Sequence, residues 1–450
     1  MPTHPSRRSV LGGLAAFSGL GIAPGLLPLA RAQTGLDPDR WFVFCYFSGG
    51  WDLLLSLDPR DPASFGGDRR RITRIDTGFE LLSASRRQLV PTAVPEMTFG
   101  PYIGSLAGQA NRLAVVRGMS MDTLTHEVGR RRFITGIPPA GLQAKGSSFA
   151  TVAASLLGAD DPIPQLSVRV ESYNESLPSW SSAIKVGAIE DLVRALGESP
   201  DGLYTGEQQA IEQAMEAFRA GRRSTRSTFL QDAYAARLAG LDLVSLGLDA
   251  SFDFGADTAE MRDLRDRYGV DPADLTSAGA QAAAAVTAIT TGISRCVSIV
   301  VAEDLDSHGP EWAGSHGPRL EAGFDTVAAL IDDLGSRPFR DTEETWLDHT
   351  TVVVFSEFGR TALLNSSDGR DHHLHNACLL AGAGIRPGVY GRSSDLGMAP
   401  VPVDLATGLE QRDGGTVIKP EHVYRGLLSG MGVADDIMEY RAEPLTAFLT

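Results

Sequence analysis

Two β-branched runs that stop abruptly at acidic residues constrain this chain more than anything else in it. Cys296-Val-Ser-Ile-Val-Val-Ala302 ends in Glu303-Asp-Leu-Asp-Ser-His308, and Thr350-Thr-Val-Val-Val-Phe355 ends in Ser356-Glu-Phe-Gly-Arg360. Apolar runs of this length bounded by polar loops read as fully buried strands of a mainly parallel sheet. Between them, Leu320, Phe324, Val327, Ala328 and Ile331 recur at helical spacing. A strand–helix–strand unit follows, with carboxylates and imidazoles at the carboxyl ends of its strands, where open α/β sheets bind ligands. The stretch from Cys296 to Leu380 also holds six of the nine histidines: His308, His316, His349, His372, His373 and His375. The expected fold class is α/β, with a mixed, mostly parallel sheet between helices.

The N-terminus reads differently. Ser6-Arg-Arg-Ser-Val-Leu11, an apolar stretch interrupted by glycines, and Ala30-Arg-Ala32 form a twin-arginine export signal over residues 1–32. The glycines and prolines between Gly12 and Pro28 argue against a membrane anchor, which needs about 20 strongly apolar residues. The expected mature chain, residues 33–450, is therefore handed to the twin-arginine translocase and becomes periplasmic or secreted. The formal net charge is −16, and losing a leader with three arginines and no acidic residue makes it more negative. Such a chain repels phosphate backbones, so nucleic acid is excluded as a partner. Cys45, Cys296 and Cys378 each lie in or beside an apolar run and read as core thiols, not a disulfide framework.

Taken in order, Trp41–Phe47 is a first strand, and Ser48-Gly-Gly-Trp-Asp52 brings Asp52 to its carboxyl end, as a site residue or as a cap for Leu53–Leu55. Arg69-Arg-Arg71 reads as solvated surface. A short strand over Leu113–Val116 leads into a loop where Ser120, Thr123 and Thr125 are hydroxyl candidates, for a nucleophile, an anion site or a helix cap. His126-Glu127 lacks the second histidine of a zincin, since Arg130 stands there. Gln165–Val170 is another strand, and residues 188–292 read as a helical insertion. Asn376–Leu380 is a strand ending in the turn Ala381-Gly-Ala-Gly384, which is not a dinucleotide fingerprint. Helices close the chain around Pro420–Met431.

Four loops offer ligands for a divalent metal: Asp52; Asp304, Asp306 and His308; Glu357; and Asp371 with His372 and His373. A mixed imidazole and carboxylate set points to one or two ions of Zn²⁺, Mn²⁺ or Fe, not to an all-oxygen cage. His316, His349 and His375 read as structural.

The twin-arginine start, Gly49-Gly-Trp-Asp52, Asp306-Ser-His308, Ser356-Glu-Phe-Gly-Arg360, Gly369-Arg-Asp-His372 and the Ala381–Gly384 turn resemble the domain-of-unknown-function 1501 family. That family looks like a branch of the alkaline phosphatase and sulfatase superfamily. The resemblance implies a metal site and displacement at phosphorus or sulfur of a small anionic ester. It carries Asp52, Asp306, His308, Glu357 and His372 over as ligands, with Asp304 an alternative partner for His308. Phe358 stands where the superfamily has a ligating residue. Thr125 would be attacker or anion holder, and Arg117, Arg130 or Arg360 would neutralise charge. The expected function is an exported metal-dependent hydrolase of phosphate or sulfate esters. The alternative is a non-catalytic binding or assembly protein of the cell envelope on the same fold.

Overall fold

The computed structural model describes residues 36–433 and 440–450, apart from 198–204, 221–226, 228–230, 232–239 and 242. The export signal expected over residues 1–32 lies outside the described residues.

The sheet is organised around β1 (Trp41–Phe47), whose seven residues are all buried. Its β-branched and aromatic content suits a strand covered on both faces. The other strands are β2 (Leu113–Ser120), β3 (Ile163–Val168), β4 (Ile184–Val186), β5 (Ser294–Ala302), β6 (Thr350–Ser356), β7 (Gly359–Arg360), β8 (His372–His373), β9 (His375–Gly382) and β10 (Gly388–Tyr390). Eight of them form one sheet in the order β10-β2-β9-β6-β1-β5-β3-β4, while β7 and β8 make a separate ribbon. Both neighbours of β1 run parallel to it, in register such that Phe47 pairs with Ser356 on one side and Ala302 on the other. The loops after β1, β5 and β6 therefore leave the sheet at one level. The fold is α/β with a mixed, mostly parallel sheet.

Only β9 runs against the rest of that sheet, antiparallel to both β2 and β6. The strand expected over Asn376–Leu380 is present, but with this reversed sense. Because β9 is reversed, its amino end lies at the carboxyl edge of the other strands. His372, just before it, is delivered to the same edge as Asp306 and Glu357.

Side chains alternate along β1 between two cores. Val43, Cys45 and Phe47 pack with the helices Ala278–Thr290 and Gly317–Ser336. Phe42, Phe44 and Tyr46 face the helices His126–Thr135, Phe149–Leu157 and Pro420–Gly430. In the Gly317–Ser336 helix the expected periodic residues are all buried, each contributing about 1.5–3 kcal/mol for a large side chain. On the opposite face, Phe149 and Tyr424 stack at 4.4 Å. Between β4 and β5 the described elements are helical, Ile189–Leu196, Thr205–Ala220 and Ala259–Tyr268, before the Ala278–Thr290 helix that covers β5. The three cysteines are buried and free. Among the described residues, no helix is long and apolar enough to cross a membrane.

The loops at the carboxyl edge meet with almost no room between them. Gly49 has φ +110°, and a Cβ there would stand 2.7 Å from the backbone nitrogens of Leu305 and Asp306. Gly49→Ala should therefore cost at least about 2 kcal/mol, through conformational strain plus the collision. Gly108→Ala, where a Cβ meets nothing within 4 Å, should stay within about 0.5 kcal/mol. Thermal unfolding followed by circular dichroism checks this, and equal melting temperatures for the two variants would refute the close approach of the loops.

Candidate metal centre

The helix His126–Thr135 follows the loop that leaves β2, with Thr125 at its N-cap position in extended conformation. This places His126 over the edge where β5 and β6 end. His126 Nδ1 lies 2.8 Å from Glu357 Oε1. An ionised carboxylate only accepts, so Nδ1 carries the proton and the Nε2 lone pair faces inward. His372 is held the same way: its Nδ1 donates to the carbonyl of Leu124 at 2.6 Å. His308 Nδ1 lies 2.7 Å from Asp371 Oδ1. Three imidazoles are thus oriented from behind, with the Nε2 of His126 and of His372 turned toward the cluster, while the Nε2 of His308 also accepts from Arg360 Nη1 at 3.3 Å.

Those three Nε2 atoms gather around the carboxylate of Asp306. His126 Nε2 is 3.2 Å from Oδ2, while His308 and His372 Nε2 are 2.9 and 3.2 Å from Oδ1. His308 and His372 Nε2 stand 3.0 Å from each other. Two nitrogens about 2.0–2.1 Å from one ion stand about 3–3.4 Å apart, so this spacing suits shared ligation. The ligand atoms of His126, Asp306 and His372 all lie within 4.8 Å of one another. His126 Nε2 is buried and has no hydrogen-bond partner, an arrangement that costs free energy unless something occupies the position it faces. The residues present fit a divalent ion. Three or four imidazole and carboxylate donors facing solvent form the open type of site that catalytic zinc occupies.

The electrostatics agree. Burial pulls the His126 pKa down, but its bond to Glu357 and the charge of Asp306 outweigh this, and the net shift is upward. Burial raises the Asp306 carboxyl, but chiefly the hydrogen bond from Arg360 overcomes it and holds the group well below its usual range. Glu357 is lowered too, its burial being offset chiefly by His126. Burial lowers the His372 pKa, the direction that favours its neutral ring.

The expected site residues divide between this cluster and its supports. Asp306, His308 and His372 are in it. Asp371 stands one step out, orienting His308. Glu357 is 1 % exposed, and its oxygens accept from His126, the Gly49 N–H, Tyr46 and Ser356, so it positions a ligand instead of being one. Asp52 also differs from expectation. Its Oδ1 caps the N–H groups of Leu54 and Leu55, and its Oδ2 accepts from Trp312 Nε1 and pairs with Arg370 at 2.8 Å. Both oxygens are engaged inside the protein. Asp304 has φ +55° and lies at the surface near Arg319, away from the cluster. Arg360 reaches it, with Nη2 2.7 Å from Asp306 Oδ1. Arg117 does not: its guanidinium donates to the carbonyls of Leu57 and Thr98. The Thr125 hydroxyl contacts that of Thr123 at 3.4 Å, so its place in the site is adjacency to His126. His316 is structural, as expected, accepting from the Asp52 N–H and facing Ser307, with burial lowering its pKa to about 3.

His126 is the member of this cluster that the sequence alone does not mark. Its signal was weak: a lone histidine at the first turn of a helix, without the paired histidine of a known motif. Only the β2–β9 pairing, Ser120 opposite His375, brings that helix start beside His372.

Comparison with known proteins gives a family and distant structural neighbours. No curated protein matches the chain. Solved structures similar to it include a protein in the alkaline phosphatase superfamily from Vibrio parahaemolyticus, at 10% identity, covering 88% of this chain and 67% of that one, with a TM-score of 0.34. A sulfatase from a Pseudoalteromonas species shares 11% identity over 91% of this chain and 70% of its own, with a TM-score of 0.36. The alkaline phosphatase of Thermus thermophilus shares 14% over 74% and 64%, with a TM-score of 0.25. At these values the likeness carries no argument about activity or residue roles. The family profile described as "Protein of unknown function (DUF1501)" matches residues 40–409, most of the sequence, and the chain belongs to that family.

Proposed function

We propose that the chain is an exported, metal-dependent hydrolase of small phosphate or sulfate esters, with His126, Asp306 and His372 as ligands and His308 as a fourth donor beside them. The observation that carries this reading is the buried, unpartnered Nε2 of His126, aimed at Asp306 and held in place by Glu357. The donor set suits Zn²⁺ best, with Mn²⁺ or Fe as alternatives. When bound, such an ion supplies Lewis acidity toward a phosphoryl or sulfuryl oxygen and lowers the pKa of a coordinated hydroxyl. The chain's own residues do the rest. Glu357 and the Leu124 carbonyl set the two ring orientations, Arg360 fixes the Asp306 carboxylate, and Thr125 next to His126 is the candidate attacking or anion-holding hydroxyl. Export through the twin-arginine translocase to the periplasm or beyond belongs to the same proposal, and rests on Ser6-Arg-Arg-Ser9 and the residues after it.

A second reading, a non-catalytic envelope protein retaining the metal as a structural element, is favoured by one observation. The Thr125 hydroxyl engages Thr123 and not the cluster. The two readings separate in one experiment on the mature chain, exported through its own signal and purified without chelators. The hydrolase should hold about one equivalent of zinc, manganese or iron, and turn over aryl phosphate or sulfate esters. His126→Ala and Asp306→Asn should remove the metal and lower turnover at least about a hundredfold. A folded wild-type protein that holds no metal would sink the proposal. A metal-loaded protein inert to every ester would favour the second reading.

A pH prediction follows from the raised pKa of His126 and the lowered pKa of Glu357. A raised histidine contributes stability that is fully present below its unfolded value of about 6.5 and lost as pH climbs through the folded value. A depressed glutamate contributes above about 4.3 and loses that contribution as pH falls through its folded value. In the metal-free protein the pair should therefore stabilise most between these limits, and the melting temperature should fall as pH rises from about 6.5 through the raised His126 value. Metal binding needs the neutral ring, so its affinity should fall about tenfold per pH unit below that same value. Calorimetric unfolding with and without Zn²⁺ across this range should show opposite slopes. Parallel slopes would exclude His126 as a ligand.

A further inference from the structure

The charge and surface character of the metal cluster say which esters it would accept. Asp306, Glu357 and Asp371 bring three negative charges to the site and its supports, against one positive charge from Arg360. A divalent ion just cancels the remaining two. Nearby Asp52 and Arg370 cancel each other in their own buried pair.

Among the described residues, neither of the two guanidiniums nearest the cluster, Arg360 and Arg130, is left over to clamp a second negative charge on a substrate. Arg360 is 2 % exposed, and its Nε donates to the Gly50 carbonyl, its Nη1 to that of Arg370 and to His308 Nε2, and its Nη2 to those of Gly49 and Leu305 as well as to Asp306. Arg130, one turn along the helix from His126, is held by Glu171 through two bonds of 2.9 and 3.2 Å. Tight binding of a dianion requires preorganised positive charge beyond what the ion supplies, and its absence is itself a selective device.

Two exposed leucines stand among the polar residues of the loops that carry the cluster. Leu124 is 47% exposed and Leu374 is 45% exposed, and both are tied to the ligand-bearing segments. The Leu124 carbonyl orients His372, and the Leu374 carbonyl accepts from the Met121 N–H at 2.9 Å. Phe358 packs behind the cluster, its ring 4.9 Å from that of His126 and 4.5 Å from that of His372. Two exposed leucines beside a charged cluster leave apolar surface in water unless a ligand covers it.

The geometry points to a monoanionic ester carrying an aryl or alkyl group as the ligand of this site, a phosphodiester or sulfate ester in preference to a dianionic phosphate monoester. This rests on the metal-dependent reading above and narrows it. The anionic oxygen would meet the cluster, and the apolar group would lie over Leu124 and Leu374.

Binding of non-hydrolysable probes tests this without relying on turnover. Zinc-loaded mature protein is titrated calorimetrically at a pH of about 8 with phenylphosphonate, mostly a dianion there, and with its monomethyl ester, a monoanion. The monomethyl ester should bind at least tenfold more tightly. Replacing its phenyl group by methyl should weaken it at least fivefold in the wild type, and much less in the Leu124→Ser/Leu374→Ser double variant, whose metal content and melting temperature serve as fold controls. Equal or tighter binding of the dianion, or of neither probe, overturns the charge argument. An undiminished phenyl preference in the double variant overturns the role of the two leucines. Should the probes bind as expected while no ester is turned over, the hydrolase reading fails and the ligand class stands.

Discussion

One buried guanidinium holds the working edge of this protein together. Arg360 is buried, and its donors reach the backbone of the loop after β1, the loop after β5 and the segment before β8, and one of them fixes Asp306. A buried charge is tolerable only when each of its donors finds a partner. Loop positions that leave any of these carbonyls out of reach are therefore penalised. The arginine acts as a template against which the loops are set, and the carboxylate at the centre of the cluster takes its place from that template.

The same economy explains why acidic residues at equivalent strand ends have such different surroundings. After β1, Asp52 turns into the interior, where Trp312, Arg370 and two backbone N–H groups fill its oxygens. After β6, Glu357 is enclosed by donors from β1 and its own strand, with His126 as the outermost of them. After β5, Asp306 remains half-exposed, with imidazole nitrogens around it. Burial and the number of donors within reach, not the residue type, decide which carboxylate can serve an ion.

Much of the scaffold was legible in the sequence. The continuous apolar runs of β1, β5 and β6 and the periodic helix between the last two follow from burial on both faces of a sheet, which composition records directly. The reversed sense of β9 was not legible, because Asn376–Leu380 has the same composition whichever way it pairs. The cluster was half legible. Asp306, His308 and His372 sit in polar loops directly after or before strong strands, where ligands are expected. Asp52 and Glu357 look identical to ligands in one dimension, and only the positions of Arg370 and His126 show where their oxygens point. His126 depends on long-range pairing between β2 and β9, and nothing adjacent to it in the chain announces that.

That reversed strand has a kinetic side. His126 and Glu357 are 231 positions apart in the chain, and His308 and His372 are 64 apart. Closing loops of that length is entropically costly and is deferred until enough of the sheet exists to reward it. With β9 inserted between β2 and β6, the cluster comes into being only as the sheet is completed. A partly folded chain presents scattered single donors, which bind ions weakly. Capture of an ion by this cluster would thereby be coupled to the last act of assembly, and tight occupancy would report a finished fold.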